Sequence, residues 1–273
     1  MISRSLVPRG MTAEDLPAFL EELRRAAAAR EKYGADELEG RRKAVQLSAG
    51  SARGRILAFP APLALCGPQQ YVQLGRSLRE IRDLAVLEIP GFVGAERLPA
   101  TLDAAVEEQA VAIARACEGS PDPPVLMGYS SAGRFAHGMA AHLEKRGLSV
   151  GAVVLLDSYA IQDGTLSAQV GAVLLQLLNS DEWRELLNDT RLTAMGWYAD
   201  LGVRWPIEPI RAPTLLVRAE RPMSDELAGV DWKPSWPTRH EAIDVPGDHY
   251  SLLQEHAGST ALAVERWLLN VLP

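Results

Sequence analysis

From Arg55 onward the chain alternates short apolar runs with longer stretches of helical period. The runs are "RILAFP", "DLAVLEIP", "PVLMG", "GAVVLLD" and "PTLLVRA", each rich in Val, Leu or Ile and closed by turn-forming or polar residues. Unbroken apolar runs this short predict buried strands, and the segments between them, such as "LPATLDAAVEEQAVAIARAC", predict helices. Strand alternating with helix predicts an α/β fold, a mostly parallel sheet with helices on both faces. In such a sheet, sites form where strand C-termini meet the helices.

Two segments depart from this alternation. Near the start, "TAEDLPAFLEELRRAAAAR" repeats apolar residues at Leu16, Phe19, Leu20 and Leu23, with Thr12 as a cap and acids in the first turn, which predicts an amphipathic helix. The chain from there to Gly54 is charged and then small and polar. Residues 11–54 therefore read as a helical element without a core of its own, whose stripe must pack on the main domain or on a second subunit. Residues 55–273 read as the main domain. Within it, residues 164–195 separate two strand candidates and space Val170, Val173, Leu174, Leu177 and Leu178 along one helical face. An insertion directly after a strand C-terminus predicts a helical lid, at about residues 160–197, over the site. Residues 1–10 belong to a stretch, "SRSLVPRGM", that reads as a protease-site tag, with Met11 the first natural position.

Composition narrows the function. With 273 residues, 47% of them hydrophobic, the chain can bury a substantial core. A net charge of −7 supplies no basic footprint for nucleic acid. Cys66 and Cys117 have no paired spacing and no Cys/His cluster beside them, which predicts reduced thiols, no metal site and a cytoplasmic location. No apolar run reaches the roughly 18 to 20 residues of a membrane span.

The residues with chemistry cluster at predicted strand ends. In "PPVLMGYSSAGRFAHGMAAHL", Ser130 falls at the junction of a strand and a helix, with small Gly128 and Ala132 two positions to either side. A nucleophile elbow needs this setting, although its fifth position is usually Gly. A serine hydroxyl also needs a base, and His249, in "IDVPGDHYSLLQEH", lies on a loop beyond the last strand. His137 and His142 read as packing or surface residues of the helix after Ser130, and His240 and His256 as loop and helix residues. The acid that orients the imidazole is Asp157, ending "GAVVLLD", or Glu220 or Asp225 after "PTLLVRA". Each gives the chain order serine, acid, histidine of α/β-hydrolases, and spacing does not choose among them.

Larger segments add a resemblance. "GYSSAGRFAHGMAAHLEKRGLSVGAVVLLDSYA", "NDTRLTAMGWY", "DWKPSWP" and "VPGDHYSLLQEH" together resemble the terminal thioesterase domains of modular polyketide synthases, such as those that release erythromycin and pikromycin precursors. The resemblance covers roughly residues 55–269 and implies the α/β-hydrolase fold with a helical lid insertion. It implies Asp157 as the acid, in an Asp-x-Tyr context with Tyr159, and backbone oxyanion donors at Leu63 and Ser131. The loop "PAPLALCGPQQY" has Pro62 where a small residue is expected, and its Cys66 reads as a buried side chain.

The resemblance further implies a substrate, a polyketide acyl chain on the phosphopantetheine arm of an acyl carrier protein of the same synthase. It implies chain release through an acyl-Ser130 intermediate, resolved by macrolactonisation or hydrolysis, with no diffusible cofactor. A homodimer through the N-terminal helical element is implied as well. A standalone editing thioesterase and a general serine esterase share the triad. A non-catalytic dimerising or docking module is the alternative from another class.

Overall fold

Both faces of the sheet's middle strands are covered, which is why those strands carry unbroken apolar runs. A computed structural model describes residues 10–38, 44–94, 96–160, 171, 175, 178–180, 187–203, 205–223 and 232–272. Its strands are β1 (Lys32–Tyr33), β2 (Val45–Ser48), β3 (Ile56–Phe59), β4 (Leu84–Val86), β5 (Leu98–Pro99), β6 (Val125–Tyr129), β7 (Ala152–Leu156), β8 (Thr214–Ala219) and β9 (Glu241–Val245). The helices used below are α1 (Leu16–Ala28), α2 (Val72–Ser77), α3 (Leu102–Ala116), α4 (Ala132–Lys145), α5 (Asp189–Val203) and α6 (Ala257–Val271). Seven strands form one sheet in the order β2-β4-β3-β6-β7-β8-β9, parallel throughout except for β2 at the edge. β1 and β5 pair with each other, outside this sheet.

Side chains alternate across the sheet with a period of two. Leu57 and Phe59 of β3, and Val153 and Leu155 of β7, join the core shared with α1, α3, α4 and α5. Ile56, Ala58, Val154 and Leu156 join the opposite core, shared with α2 and α6. Each fully buried Val, Leu or Ile contributes roughly 1.5–3 kcal/mol over leaving it exposed. The chain runs from β3 outward to β4, then returns past β3 to β6, so the strand order reverses between β3 and β6. Above the C-terminal ends of those two strands lies the crevice where open α/β sheets bind ligands.

The N-terminal reading needs correction in two places. Residues 11–54 are not all helical, because Val45–Ser48 joins the main sheet as its antiparallel edge strand, β2. Val45 and Gln46 are exposed there, and an edge strand half in solvent loses the apolar signature that marks the central strands. Thr12 does not cap α1. Its hydroxyl donates to the Asp15 carboxylate (2.7 Å), and the helix starts after Asp15 with Pro17 in its first turn.

The apolar stripe of α1 packs within its own chain. Leu16, Phe19, Leu20, Leu23 and Ala27 are buried, and α1 lies against α5. Gly196 permits the close approach, since a Cβ there would stand 2.5 Å from Leu23 Cβ. Arg30, just past α1, donates to Thr190 O (2.9 Å) on α5 and to Gly91 O (3.0 Å). Glu21, Glu22 and Arg25 form the exposed face. Of the lid positions, Val170, Val173, Leu174 and Leu177 lie outside the described residues, and Leu178 is buried in the core shared with α1 and α5. Among the described residues no helix is long and apolar enough to cross a membrane.

Candidate active site

The turn from β6 into α4 holds Ser130 at φ 56°, in the left-handed region that a residue with a Cβ adopts only at a cost of about 1–3 kcal/mol. Its N–H donates to Leu156 O (2.9 Å) on β7, and its carbonyl accepts from Gly133 N–H (3.1 Å), which fixes the bend. Gly128 is required for strand and helix to meet, because a Cβ there would overlap the Ala132 carbonyl. The departure at the fifth position also has a reason. Ala132 fits in the core, and the second close approach falls to Gly133, where a Cβ would overlap Ser158 beyond β7.

Asp157 follows β7 and is likewise at positive φ, 43°. Its Oδ1 accepts from Ala219 N–H (3.0 Å) at the end of β8, and its Oδ2 lies 2.7 Å from His249 Nδ1. Asp157 is 1% exposed and His249 2%, so solvent does not screen the pair. A carboxylate only accepts, so the proton sits on Nδ1 and Nε2 is left as the basic nitrogen. Of the competing acids, Glu220 is exposed and meets Val245 O through its N–H, and Asp225 lies outside the described residues.

Three tyrosines surround the imidazole. Tyr129 stacks on it with centroids 4.8 Å apart, while its hydroxyl donates to His249 O (2.6 Å), so one side chain holds both the ring and its loop. Tyr159 and Tyr250 stand 6.2 and 5.5 Å away, centroid to centroid. Burial raises all three phenols, Tyr250 to about 12, so they remain neutral donors at neutral pH. Deeper in the crevice, Tyr71 donates to Phe59 O (2.6 Å) and accepts from Tyr129 N–H (3.0 Å), bridging the ends of β3 and β6.

Ser130 and His249 line one cavity of about 360 Å³, together with Leu63, Leu65, Leu253 and Gln254. This volume lies within the range of small-ligand pockets. Ser130 Oγ and His249 Nε2 are not hydrogen-bonded in this structure, and such contacts commonly tighten when substrate binds. In the loop after β3, Leu63 N–H donates to Ala61 O (2.7 Å), and Cys66 N–H to Leu63 O (3.0 Å). Ser131 N–H has no backbone acceptor among the described residues, at the N-terminus of α4 where the helix dipole favours negative charge.

The remaining candidates sit elsewhere. His137 is buried on α4 against Trp236, with Nε2 3.2 Å from Thr238 Oγ1, and burial pushes it down to about 4. His142 meets Glu107 at 3.3 Å, and His240 meets Thr238 O at 2.8 Å. Burial pushes the Cys66 thiol up to about 12, so little thiolate is present at neutral pH. Sequence reasoning missed Tyr71, Tyr129 and the Ala219 amide. Tyr129 stands inside the quoted "GYSSAG", but stacking on a residue 120 positions away leaves no local mark.

With this geometry in place, comparison with known proteins decides the family. A family model described as "Thioesterase domain" matches residues 55–268. The chain belongs to the thioesterase family. The spectinabilin polyketide synthase system protein NorC of Streptomyces orinoci is 40% identical to this thioesterase over 255 residues, 92% of the chain and 11% of the relative. Erythronolide synthase EryA3 of Saccharopolyspora erythraea is 33% identical over 226 residues, 82% of the chain and 7% of the relative. The thioesterase thus spans about a tenth of these curated relatives or less. Among solved structures, the NocB thioesterase domain in covalent complex with a fluorophosphonate nocardicin G analog aligns with a TM-score of 0.59 at 22% identity, over 80% of this chain and 96% of that one. The shared fold is the α/β-hydrolase fold.

Proposed function

We propose that this thioesterase releases a polyketide chain from the phosphopantetheine arm of an acyl carrier protein through an acyl-Ser130 intermediate. The observation that carries the reading is the buried Asp157–His249 pair sharing a switch-point crevice with a serine held at positive φ. Identity to polyketide synthase proteins supports the substrate class.

In this mechanism His249 Nε2 takes the Ser130 hydroxyl proton as Oγ attacks the thioester carbonyl. Asp157 stabilises the resulting imidazolium, and the thiol leaves with that proton. Ser131 N–H and Leu63 N–H hold the oxyanion, each such donor being worth about 10²- to 10³-fold in rate. Leu63 N–H exchanges its bond to the Ala61 carbonyl for a stronger one to a charged oxygen. His249 then deprotonates the second nucleophile, water for hydrolysis or a distal hydroxyl of the chain for macrolactonisation. Tyr159, beside His249, borders the path of the chain.

A carrier-bound or simple acyl thioester with a distal hydroxyl tests the reading. Release of free acid, or of a product one water lighter, supports it, whereas turnover of simple oxygen esters alone points to a general esterase. The homodimer that the sequence resemblance implies is proposed as well. Because the α1 stripe is buried within the chain, its contact must use other surface, and light scattering at micromolar concentration reads the outcome.

A further inference from the structure

Arg191, in the first turn of α5, belongs to the segment "NDTRLTAMGWY", to which the triad chemistry gives no role. Its Nε donates to Ala64 O (2.5 Å), its Nη2 to Cys66 O and its Nη1 to Phe92 O (3.3 Å). The guanidinium also lies over the Phe92 ring, 5.7 Å from its centroid. Among the described residues its hydrogen-bond partners are carbonyls only, and burial lowers its pKa. The Glu88 carboxylate favours the charge through space, and the hydration that this half-buried cation loses is replaced chiefly by these carbonyls.

Two of the three carbonyls belong to the loop that carries Leu63. That loop is otherwise held by neutral local contacts, Leu63 N–H on Ala61 O, Cys66 N–H on Leu63 O, Gln70 N–H on Gly67 O, Ala61 N–H on the Gln70 side chain (3.3 Å) and the Gln69 side-chain amide on Leu65 O (2.8 Å). Bonds from a charged donor are roughly twice as strong as neutral bonds of this kind. The Arg191 fork is thus the strongest tie on the loop, and it runs to α5, the helix against which α1 packs.

We propose that Arg191 is a positioning residue whose planar fork holds the 61–67 loop against α5, so that Leu63 N–H is presented to the oxyanion formed at Ser130. It acts through the loop and touches no reacting atom. The inference rests on the acyl-Ser130 reading above. Lys keeps the charge but not the fork, and Gln keeps donors but not the charge, so the two variants separate the contributions.

The test uses the full chain and an acyl thioester, with Ser130→Ala as the reference for background. Arg191→Lys and Arg191→Gln are expected to lower kcat by about 10- to 100-fold, within the range of losing an oxyanion donor. KM stays within about twofold, because differential stabilisation of the transition state is what is lost. Amide hydrogen exchange across residues 61–67 rises in both variants, while the thermal midpoint of Arg191→Lys stays near that of the parent. If Arg191→Gln does not fold, Arg191→Lys alone decides. A kcat within twofold of the parent in Arg191→Lys, or unchanged exchange in the loop, overturns the inference. So does a raised KM at constant kcat, which marks a substrate contact instead. A parent protein no more active than Ser130→Ala overturns the underlying reading, whereas an active parent beside an equally active Arg191→Lys overturns the role of Arg191 only.

Discussion

At the scale of single residues, the site depends on two strained positions and one buried carboxylate–imidazole hydrogen bond. Asp157→Asn removes the acceptor that fixes the His249 tautomer, and kcat is expected to fall about 10⁴-fold with little change in fold. Near-normal turnover there, with loss in Glu220→Gln, would move the acid to the end of β8. His137 gives a stability prediction apart from activity. Its folded value lies near 4, below the ordinary 6.5, and Glu144 offsets the burial only in part, so between those values the unfolded chain binds the extra proton. Stability is therefore full above about pH 6.5 and declines as pH falls toward 4, by up to about 3 kcal/mol. His137→Gln should flatten that decline in urea midpoints measured between pH 7 and 4, and an equally steep decline would contradict it. Ser130 and His249 were legible because an elbow and its base leave local sequence marks. The choice of Asp157 over Glu220 was not legible from spacing, because both end strands, and only the fold shows which carboxyl is buried 2.7 Å from the imidazole.

At the scale of elements, the strands were readable where both faces are buried and unreadable where one is not. β3 and β7 are apolar throughout and β6 and β8 largely so, with Arg218 the one charged residue among them, whereas β2 exposes Val45 and Gln46 and passes for a polar linker. The amphipathic period of α1 was equally plain, but a stripe does not name its partner. Its partner here is α5, selected by Gly196, whose missing side chain lets the helices close on Leu23. Gly196→Ala should therefore cost about 1–3 kcal/mol by overpacking, read as a lower urea midpoint. An unchanged midpoint would mean that α1 and α5 pack differently. Gly128→Ala meets backbone where it would need room, so it should disrupt the elbow itself, with loss of acylation as well as stability.

For the molecule as a whole, the fold brings one strained serine, one buried acid and one histidine from three strand ends to a single crevice, and the thioesterase family supplies the chemical class. What the chain does with the acyl group after acylation depends on the shape of the enclosing channel, for which the triad residues carry no code. Acylation itself is common to both outcomes and so is the central claim. Its most direct test is the intact mass of the protein after brief mixing with an acyl thioester, followed by peptide mapping. The parent should gain the acyl mass on the peptide bearing Ser130, and Ser130→Ala should gain none. Acylation that persists in Ser130→Ala, or that maps to another residue, would contradict the assignment.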